Sequence, residues 1–232
     1  LAQTPESEIE LQQSLASAEY ISVRDSRTAH GLSQLGVDSI LGPDLVSLLP
    51  RVYKADETAR SNGVVFQLNE SSLRNNFADA LSLLLRLMRK YQDVKVLAAG
   101  VAPGHDSWIE YSRLIAEARK GSSAKVKLSL NLDPLAIVEA IASAKLVVAS
   151  SLHIRIVAMA FGIPRVSMAS EKTRVYAEDW DSLSSYSPSV NVEESIIEAA
   201  VNFPSAELRR TATSLMNLTE ASWEGMMNAI RR

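Results

Sequence analysis

Short apolar runs alternate with amphipathic stretches along most of the chain. Five apolar runs are typical of buried strands, at residues 64–68, 94–99, 126–130, 145–149 and 165–168. Between them, apolar residues recur at helical spacing, at 77–88, 108–119, 134–144 and 152–161. This alternation is typical of β/α units. It predicts an α/β fold with a Rossmann-like, doubly wound and mostly parallel sheet.

The first part of the chain carries a weaker version of the same pattern. Short strands predicted at 21–23 and 38–41 flank a helix at 26–36, which ends at a glycine. We therefore interpret residues 1–49 as the tail of an N-terminal Rossmann-like domain. Because the chain begins without methionine and enters patterned sequence almost at once, we expect a fragment, a processed chain or an incomplete one.

A polar, unpatterned segment at residues 50–62 is typical of a linker. Residues 63–180 then form the predicted second Rossmann-like domain. Residues 181–232 supply C-terminal helices that pack on the preceding domain or domains. The longest of these helices, predicted at 205–231, carries an apolar stripe that could pack across more than one element.

Composition excludes several kinds of site. The 232 residues include no cysteine, which removes disulfides, thiolate zinc and cysteine nucleophiles and fits a reducing, cytoplasmic compartment. The net charge of −3 gives no reason to expect a nucleic-acid partner. Three histidines without ligand-like spacing predict no metal site. No signal peptide is visible, and no apolar run approaches the ~18 residues of a membrane span.

Candidate chemistry follows two of the predicted strands. Ser150, Ser151 and His153 come directly after the strand at 145–149, where a helix begins and its free N–H groups favour an anion. The serines could instead only cap the helix, and the histidine could be structural. Lys172 follows the next strand, with a plain surface lysine as the alternative. Ligands bind at the carboxyl ends of such strands, so we expect an anion site there.

Three further residues lie after other predicted strands. Arg24 directly follows the strand at 21–23, and its guanidinium suits a carboxylate or phosphate, although Asp25 beside it is explained as a helix cap. Asn69 could line the cleft or shape a turn. His105 could reach the cleft, but an exposed histidine next to Asp106 as a helix cap is the favoured interpretation.

Together these residues resemble a known family. The pieces are Val23-Arg24-Asp25, Leu35-Gly36-Val37, Gly42-Pro43-Asp44-Leu45, Ser151-Leu152-His153, Phe161-Gly162-Ile163-Pro164 and Lys172. Their order and their placement at strand ends, from Ala18 to Lys172, are similar to the polysaccharide pyruvyl transferases. The resemblance implies the second domain, with the tail of the first, of a two-domain glycosyltransferase-B-like fold.

The resemblance also implies an activity. Family members move a pyruvyl group from phosphoenolpyruvate to two hydroxyls of a sugar, in a polysaccharide or lipid-linked glycan, and form a cyclic ketal. By this resemblance Arg24 holds the donor's anionic groups, His153 is the catalytic residue and Lys172 lies near the donor. Ser150, Ser151 and Leu152 complete the donor-binding set. Many members have arginine where this chain has Ser151, and the family's first domain is represented here by its tail.

The expected partners are therefore phosphoenolpyruvate as substrate, with no cofactor, and a glycan or lipid-linked acceptor in exopolysaccharide biosynthesis. Peripheral association with the membrane that carries the acceptor is compatible with this. Two other functions remain open. A nucleotide-sugar glycosyltransferase would have the same architecture, with Glu171 on the donor ribose. A non-catalytic domain would bind an anionic sugar or another protein.

Overall fold

A computed structural model of the chain describes residues 5–55, 63–91, 93–100, 102, 104–121, 125–183 and 185–231. The first elements are α1 (Pro5–Leu15), β1 (Ser22–Val23), α2 (Ser26–Gln34), β2 (Ile40–Leu41), a 3-10 helix (Leu45–Leu48) and α3 (Leu49–Val52). The next are β3 (Val64–Gln67), α4 (Glu70–Asn75), α5 (Phe77–Lys90), β4 (Asp93–Leu97), α6 (Trp108–Gly121), β5 (Lys125–Ser129) and α7 (Pro134–Ala142). The last are β6 (Leu146–Ala149), α8 (Leu152–Ala160), β7 (Arg165–Met168), α9 (Glu171–Trp180), β8 (Tyr186–Ser187), α10 (Glu194–Asn202) and α11 (Ser205–Ile230).

Six strands of the described chain form one parallel sheet in the order β5-β4-β3-β6-β7-β8. Every residue of β3, β6 and β7 is buried, because helices cover both faces of the sheet. The five predicted strands are confirmed to within two residues at each end. The sixth, β8, has two residues and no apolar run, so periodicity could not reveal it.

The pleat of the sheet sends alternate side chains into two apolar cores. In β3, Val64 and Phe66 belong to the core that contains residues of α5 and α6, whereas Val65 belongs to the core formed with α7 and α8. In β6, Val148 and Val147 divide in the same way. Helices therefore pack on both faces, and the prediction of a doubly wound α/β sheet is confirmed.

The N-terminal elements contact the rest of the chain through specific hydrogen bonds. Strands β1 and β2 pair in parallel, and Asp25 caps α2 by accepting from the N–H of Thr28 at 2.8 Å, as its position suggested. The Tyr20 hydroxyl donates to the carbonyl of Ser222 in α11 at 2.8 Å.

The proposed domain division remains a prediction. Of the predicted linker, residues 50–52 belong to α3 and residues 56–62 lie outside the described residues.

A charged cluster is buried between α8, β7 and the end of α9. The side chains of Arg155 and Arg165 are 1% exposed and that of Asp181 is 0% exposed. The Asp181 carboxylate accepts from Arg155 Nη2 at 2.5 Å and from Arg165 Nε at 2.8 Å. Burial alone would raise the pKa of Asp181, but the two guanidinium groups hold it below its usual value. Burial lowers the pKa of Arg155 to about 10. The cluster fixes the helix that follows β6.

No helix in the described ranges combines the length and the apolar character needed to cross a membrane. The longest, α11, is amphipathic. Its Leu208 joins the core under the sheet and its Leu215 packs with Ile156 and Met159 of α8. Helix α8 is thus held by packing on one side and by the charged cluster on another.

Candidate active site

A cavity of about 640 Å³ opens at the carboxyl edge of the sheet. It lies where the chain leaves β1, β3, β4, β6 and β7, as expected for an open parallel sheet. The sequence-predicted residues that line it are Arg24, Asn69, His105, Ser150, Ser151, Leu152, His153 and Lys172. Apolar side chains of α7 and α8, such as Ile141 and Val157, form another part of its wall.

Arg24 and His153 are in contact in the lining of the cavity. Arg24 Nη1 lies 3.5 Å from His153 Nε2 and donates to Asp44 Oδ2 at 3.0 Å. A guanidinium only donates, so Nε2 is the accepting nitrogen in this contact. The Trp180 indole N–H donates to the carbonyl of Arg24 at 2.8 Å, and the Asp44 N–H donates to the Tyr176 hydroxyl at 3.3 Å. Two aromatic residues of α9 therefore hold the N-terminal segment against the site.

Two helix N-termini reach the cavity without side-chain caps. Ser151 at α8 and Ser170 at α9 make no side-chain capping bond, and both line the cavity. By contrast, Asn69 and Asp133 cap α4 and α7, which also start after strands of the sheet. The side chains of Ser151 and Ser170 thus accept none of the N–H groups in the first turns of α8 and α9. Such N-termini attract anions.

Ser150 has a different role from the predicted cap. It is 4% exposed, and its hydroxyl accepts from the backbone N–H of Asn69 at 3.0 Å. Asn69 both caps α4, through the N–H of Ser72 at 2.8 Å, and lines the cavity. Both interpretations of Asn69, a turn former and a cleft residue, therefore hold for the same side chain.

Sequence reasoning missed Gln67, the last residue of β3. The residue is 3% exposed, and its side-chain Oε1 accepts from the N–H groups of Ser150 at 3.2 Å and Ser151 at 3.0 Å. A polar residue at the end of an otherwise apolar strand is the signal that could have identified it.

The interpretation of Asp106 as a helix cap is wrong. Its carboxylate accepts from the N–H groups of Ala99 at 2.6 Å and Gly100 at 3.2 Å, and from Gln67 Nε2 at 2.7 Å. These donors lie at the ends of β3 and β4, and the carboxylate accepts from them instead of from the N–H groups in the first turn of α6. Burial raises the pKa of Asp106, and the hydrogen bonds that it accepts oppose this. The neighbouring His105 is exposed and lines the cavity, so that part of the prediction agrees with the structure.

Glu171 is not brought to the cavity. It is exposed and pairs with Arg174 at 2.6 Å and with Arg27 at 3.8 Å. Lys172, one residue further on, does line the cavity. Among the residues that the structure describes, no group of three or more His, Asp or Glu side chains could hold a metal ion.

Solved structures define the class of fold. TarM matches with a TM-score of 0.57 and 13% identity over 98% of this chain and 46% of its own. AviGT4, a glycosyltransferase involved in avilamycin A biosynthesis, matches with a TM-score of 0.52 and 15% identity over 90% of this chain and 63% of its own. Anabaena HepE, solved with UDP and glucose, matches with a TM-score of 0.50 and 15% identity over 95% of this chain and 64% of its own. At these identities the likeness is one of fold, and the fold is glycosyltransferase-B-like. The chain spans about half to two thirds of the length of these proteins.

The family is narrower than the fold. The family model described as polysaccharide pyruvyl transferase matches residues 3–172, and the chain belongs to this family. The resemblance inferred from the short motifs is thereby confirmed. The matched region includes Arg24, His153 and Lys172. No curated protein matches the chain in sequence.

Proposed function

We propose that this chain carries the donor site of a pyruvyl transferase that uses phosphoenolpyruvate to form a pyruvate ketal on a glycan. The observation that carries the proposal is the convergence of Arg24, His153 and Lys172 with two uncapped helix N-termini on one cavity. Phosphoenolpyruvate has two anionic groups, a phosphate and a carboxylate. A site with two cationic side chains and two helix N-termini complements such a ligand.

Each group has a role in this proposal. The N-terminus of α8 binds an anion of the donor through its backbone N–H groups. These groups act at the position where many family members have an arginine and this chain has Ser151. Arg24 and Lys172 stabilise the negative charge that grows on the departing phosphate. His153 exchanges the proton that the reaction requires. Asp44 holds Arg24 at 3.0 Å and so fixes the direction of its guanidinium.

The proposed chemistry balances without a cofactor. A proton adds to the methylene carbon of phosphoenolpyruvate, and the central carbon becomes an oxocarbenium-like centre. One sugar hydroxyl oxygen bonds to that carbon, the carbon–oxygen bond to phosphate breaks, and a second hydroxyl oxygen closes the ketal. The protons of the two hydroxyls leave to the site and to phosphate. The products are the ketal and inorganic phosphate.

We propose the acceptor by its chemical class. A sugar of a polysaccharide or a lipid-linked glycan, in exopolysaccharide biosynthesis on the cytoplasmic side, fits the family. A nucleotide-sugar glycosyltransferase receives less support, because Glu171, its candidate ribose contact, lies outside the cavity lining and is engaged with Arg174.

The test is phosphate release from phosphoenolpyruvate by the full-length protein supplied with glycan extract from its own cells. We expect His153→Ala to lower the rate by about 10²–10⁴-fold, as for loss of an acid–base group. The matched control is His30→Ala, because His30 is exposed on α2 and contacts Gln34. Unchanged release by His153→Ala contradicts the proposal. Binding of a nucleotide diphosphate in place of phosphoenolpyruvate supports the glycosyltransferase, and binding without turnover supports a non-catalytic domain.

A further inference from the structure

The floor of the cavity contains a hydrogen-bonded relay that the proposed mechanism does not use. It runs from the Asp106 carboxylate through the Gln67 amide to the backbone of Ser150 and Ser151. Gln67 ends β3 in the middle of the sheet, between β4 on one side and β6 on the other. The relay therefore links the carboxyl ends of three adjacent strands beneath the start of α8.

The neighbours of the Gln67 amide determine its orientation. Asp106 as a carboxylate can only accept, so it requires Nε2 of Gln67 on its side, at 2.7 Å. The N–H groups of Ser150 and Ser151 can only donate, so they require Oε1, at 3.2 and 3.0 Å. A rotated amide would place oxygen against oxygen and N–H against N–H.

Asp106 is itself fixed by several donors. Its second oxygen receives the N–H groups of Ala99 and Gly100, and the Tyr111 hydroxyl lies 3.4 Å from the first. The Tyr111 hydroxyl also donates to the carbonyl of Leu68 at 2.6 Å. A carboxylate in this position is compatible with all of these neighbours, whereas an amide is not, because one of its two ends would be a donor facing donors.

The relay acts on the part of α8 that faces the ligand. Oε1 of Gln67 binds the two N–H groups that immediately precede the helix, and the first helical turn contains Leu152 and His153. The direction of this turn sets where its N–H groups and the His153 ring lie. A displacement of about 1 Å at such a position can lower a rate about 10²-fold.

We propose that Gln67 and Asp106 are positioning residues, which orient the N-terminus of α8 and His153 towards the donor. The inference rests on the proposed function for its effect on catalysis. The orientation of the helix start is a separate consequence that can be measured without turnover.

The experiment exchanges the chemistry of the two side chains in the full-length protein at mildly alkaline pH. In Asp106→Asn, the new amide places a donor against a donor. In Gln67→Glu, two carboxylates face each other. In the double variant Gln67→Glu/Asp106→Asn, the amide of residue 106 donates to the carboxylate of residue 67, which still accepts from Ser150 and Ser151. The double variant thus restores the donor–acceptor pairs along the relay, from residue 106 through residue 67 to Ser150 and Ser151, and its single negative charge.

We expect each single variant to lower kcat about 10²-fold with the acceptor KM unchanged, and the double variant to recover at least about tenfold over the worse single variant. Thermal unfolding of all variants checks that each is folded at the assay temperature. Gln34→Glu is the matched control, because Gln34 is exposed on α2 and away from the cavity lining. A double variant no better than the worse single variant overturns the inference.

Hydrogen exchange of the segment 147–154 gives a readout without activity. Faster exchange in both single variants, reversed in the double variant, supports the positioning role. Equal exchange in all variants overturns it, whatever the donor is. If the exchange pattern holds but the wild-type protein releases no phosphate from phosphoenolpyruvate, the proposed function fails while the positioning inference stands.

Discussion

The strongest stability prediction concerns Asp181→Ala in the buried charged cluster. One carboxylate lies between two guanidinium groups, and all three side chains are at most 1% exposed. Removing the carboxylate leaves Arg155 and Arg165 buried beside each other without an anion. Breaking a buried ion pair by removing one partner costs about 3–5 kcal/mol, because the remaining charge is uncompensated. We expect a loss in the free energy of unfolding within this range.

A second variant makes the reasoning quantitative. Arg155→Met leaves the Asp181–Arg165 pair neutral, so its cost should be smaller, at about 0.5–1.5 kcal/mol for each of the hydrogen bonds lost to Ser167 and to the carbonyls of Leu183 and Ser185. The pKa of Arg155, lowered to about 10 by burial, agrees with a guanidinium that is poorly compensated.

Urea unfolding followed by circular dichroism measures both variants, with Asp38→Ala as the control at an exposed aspartate, where about 0.5 kcal/mol or less is expected. For a chain of this size, the predicted loss in Asp181→Ala corresponds to a fall in Tm of roughly 6–20 °C. A loss below about 1 kcal/mol, or a larger loss in Arg155→Met than in Asp181→Ala, would refute the argument.

The pH dependence follows from the sign of the pKa shift. The pKa of Asp181 is lower in the folded chain than in the unfolded chain, so the unfolded state binds more protons between the two values. The stability that Asp181 contributes is then fully present above the unfolded value of about 3.9 and is lost as the pH falls through the folded value. We expect the gap between wild type and Asp181→Ala to be constant near neutral pH and to narrow in acid.

Three other outcomes are expected. Tyr111→Phe should lower stability by about 1–3 kcal/mol in urea unfolding, because the buried N–H of Leu68 loses its acceptor; an unchanged midpoint contradicts this. Gly162→Ala should cost about 1–2 kcal/mol, since φ is 62° there, and a neutral result in the same assay would show that the turn relaxes. Arg24→Lys should lower kcat/KM for phosphoenolpyruvate about tenfold, because an ammonium cannot contact both Asp44 and the donor as a guanidinium does. Steady-state kinetics measures it, and wild-type values contradict it.

Local sequence patterns were sufficient for much of the sheet. Apolar runs and helical spacing predicted five strands of the sheet and the helices α5, α6, α7 and α8, because burial on both faces of a parallel sheet requires such runs. They did not predict α4, α9 or β8. The position of His153 after a buried strand predicted its place at the carboxyl edge, because all parallel strands end there. Where a polar residue had two possible partners, as at Asp106, the local cap was favoured and the tertiary contact prevailed.

The sequence by itself determined the α/β class, the family and the strand ends at which chemistry is found, since these depend on short-range pattern and on motifs. The tertiary structure decided which residues meet. Arg24 and His153 are 129 positions apart, and Gln67 and Asp106 are 39 apart. Contacts of this kind depend on strand order and helix packing, and no local spacing encodes them. For the same reason Asp181 became the partner of two buried arginines only in the folded chain.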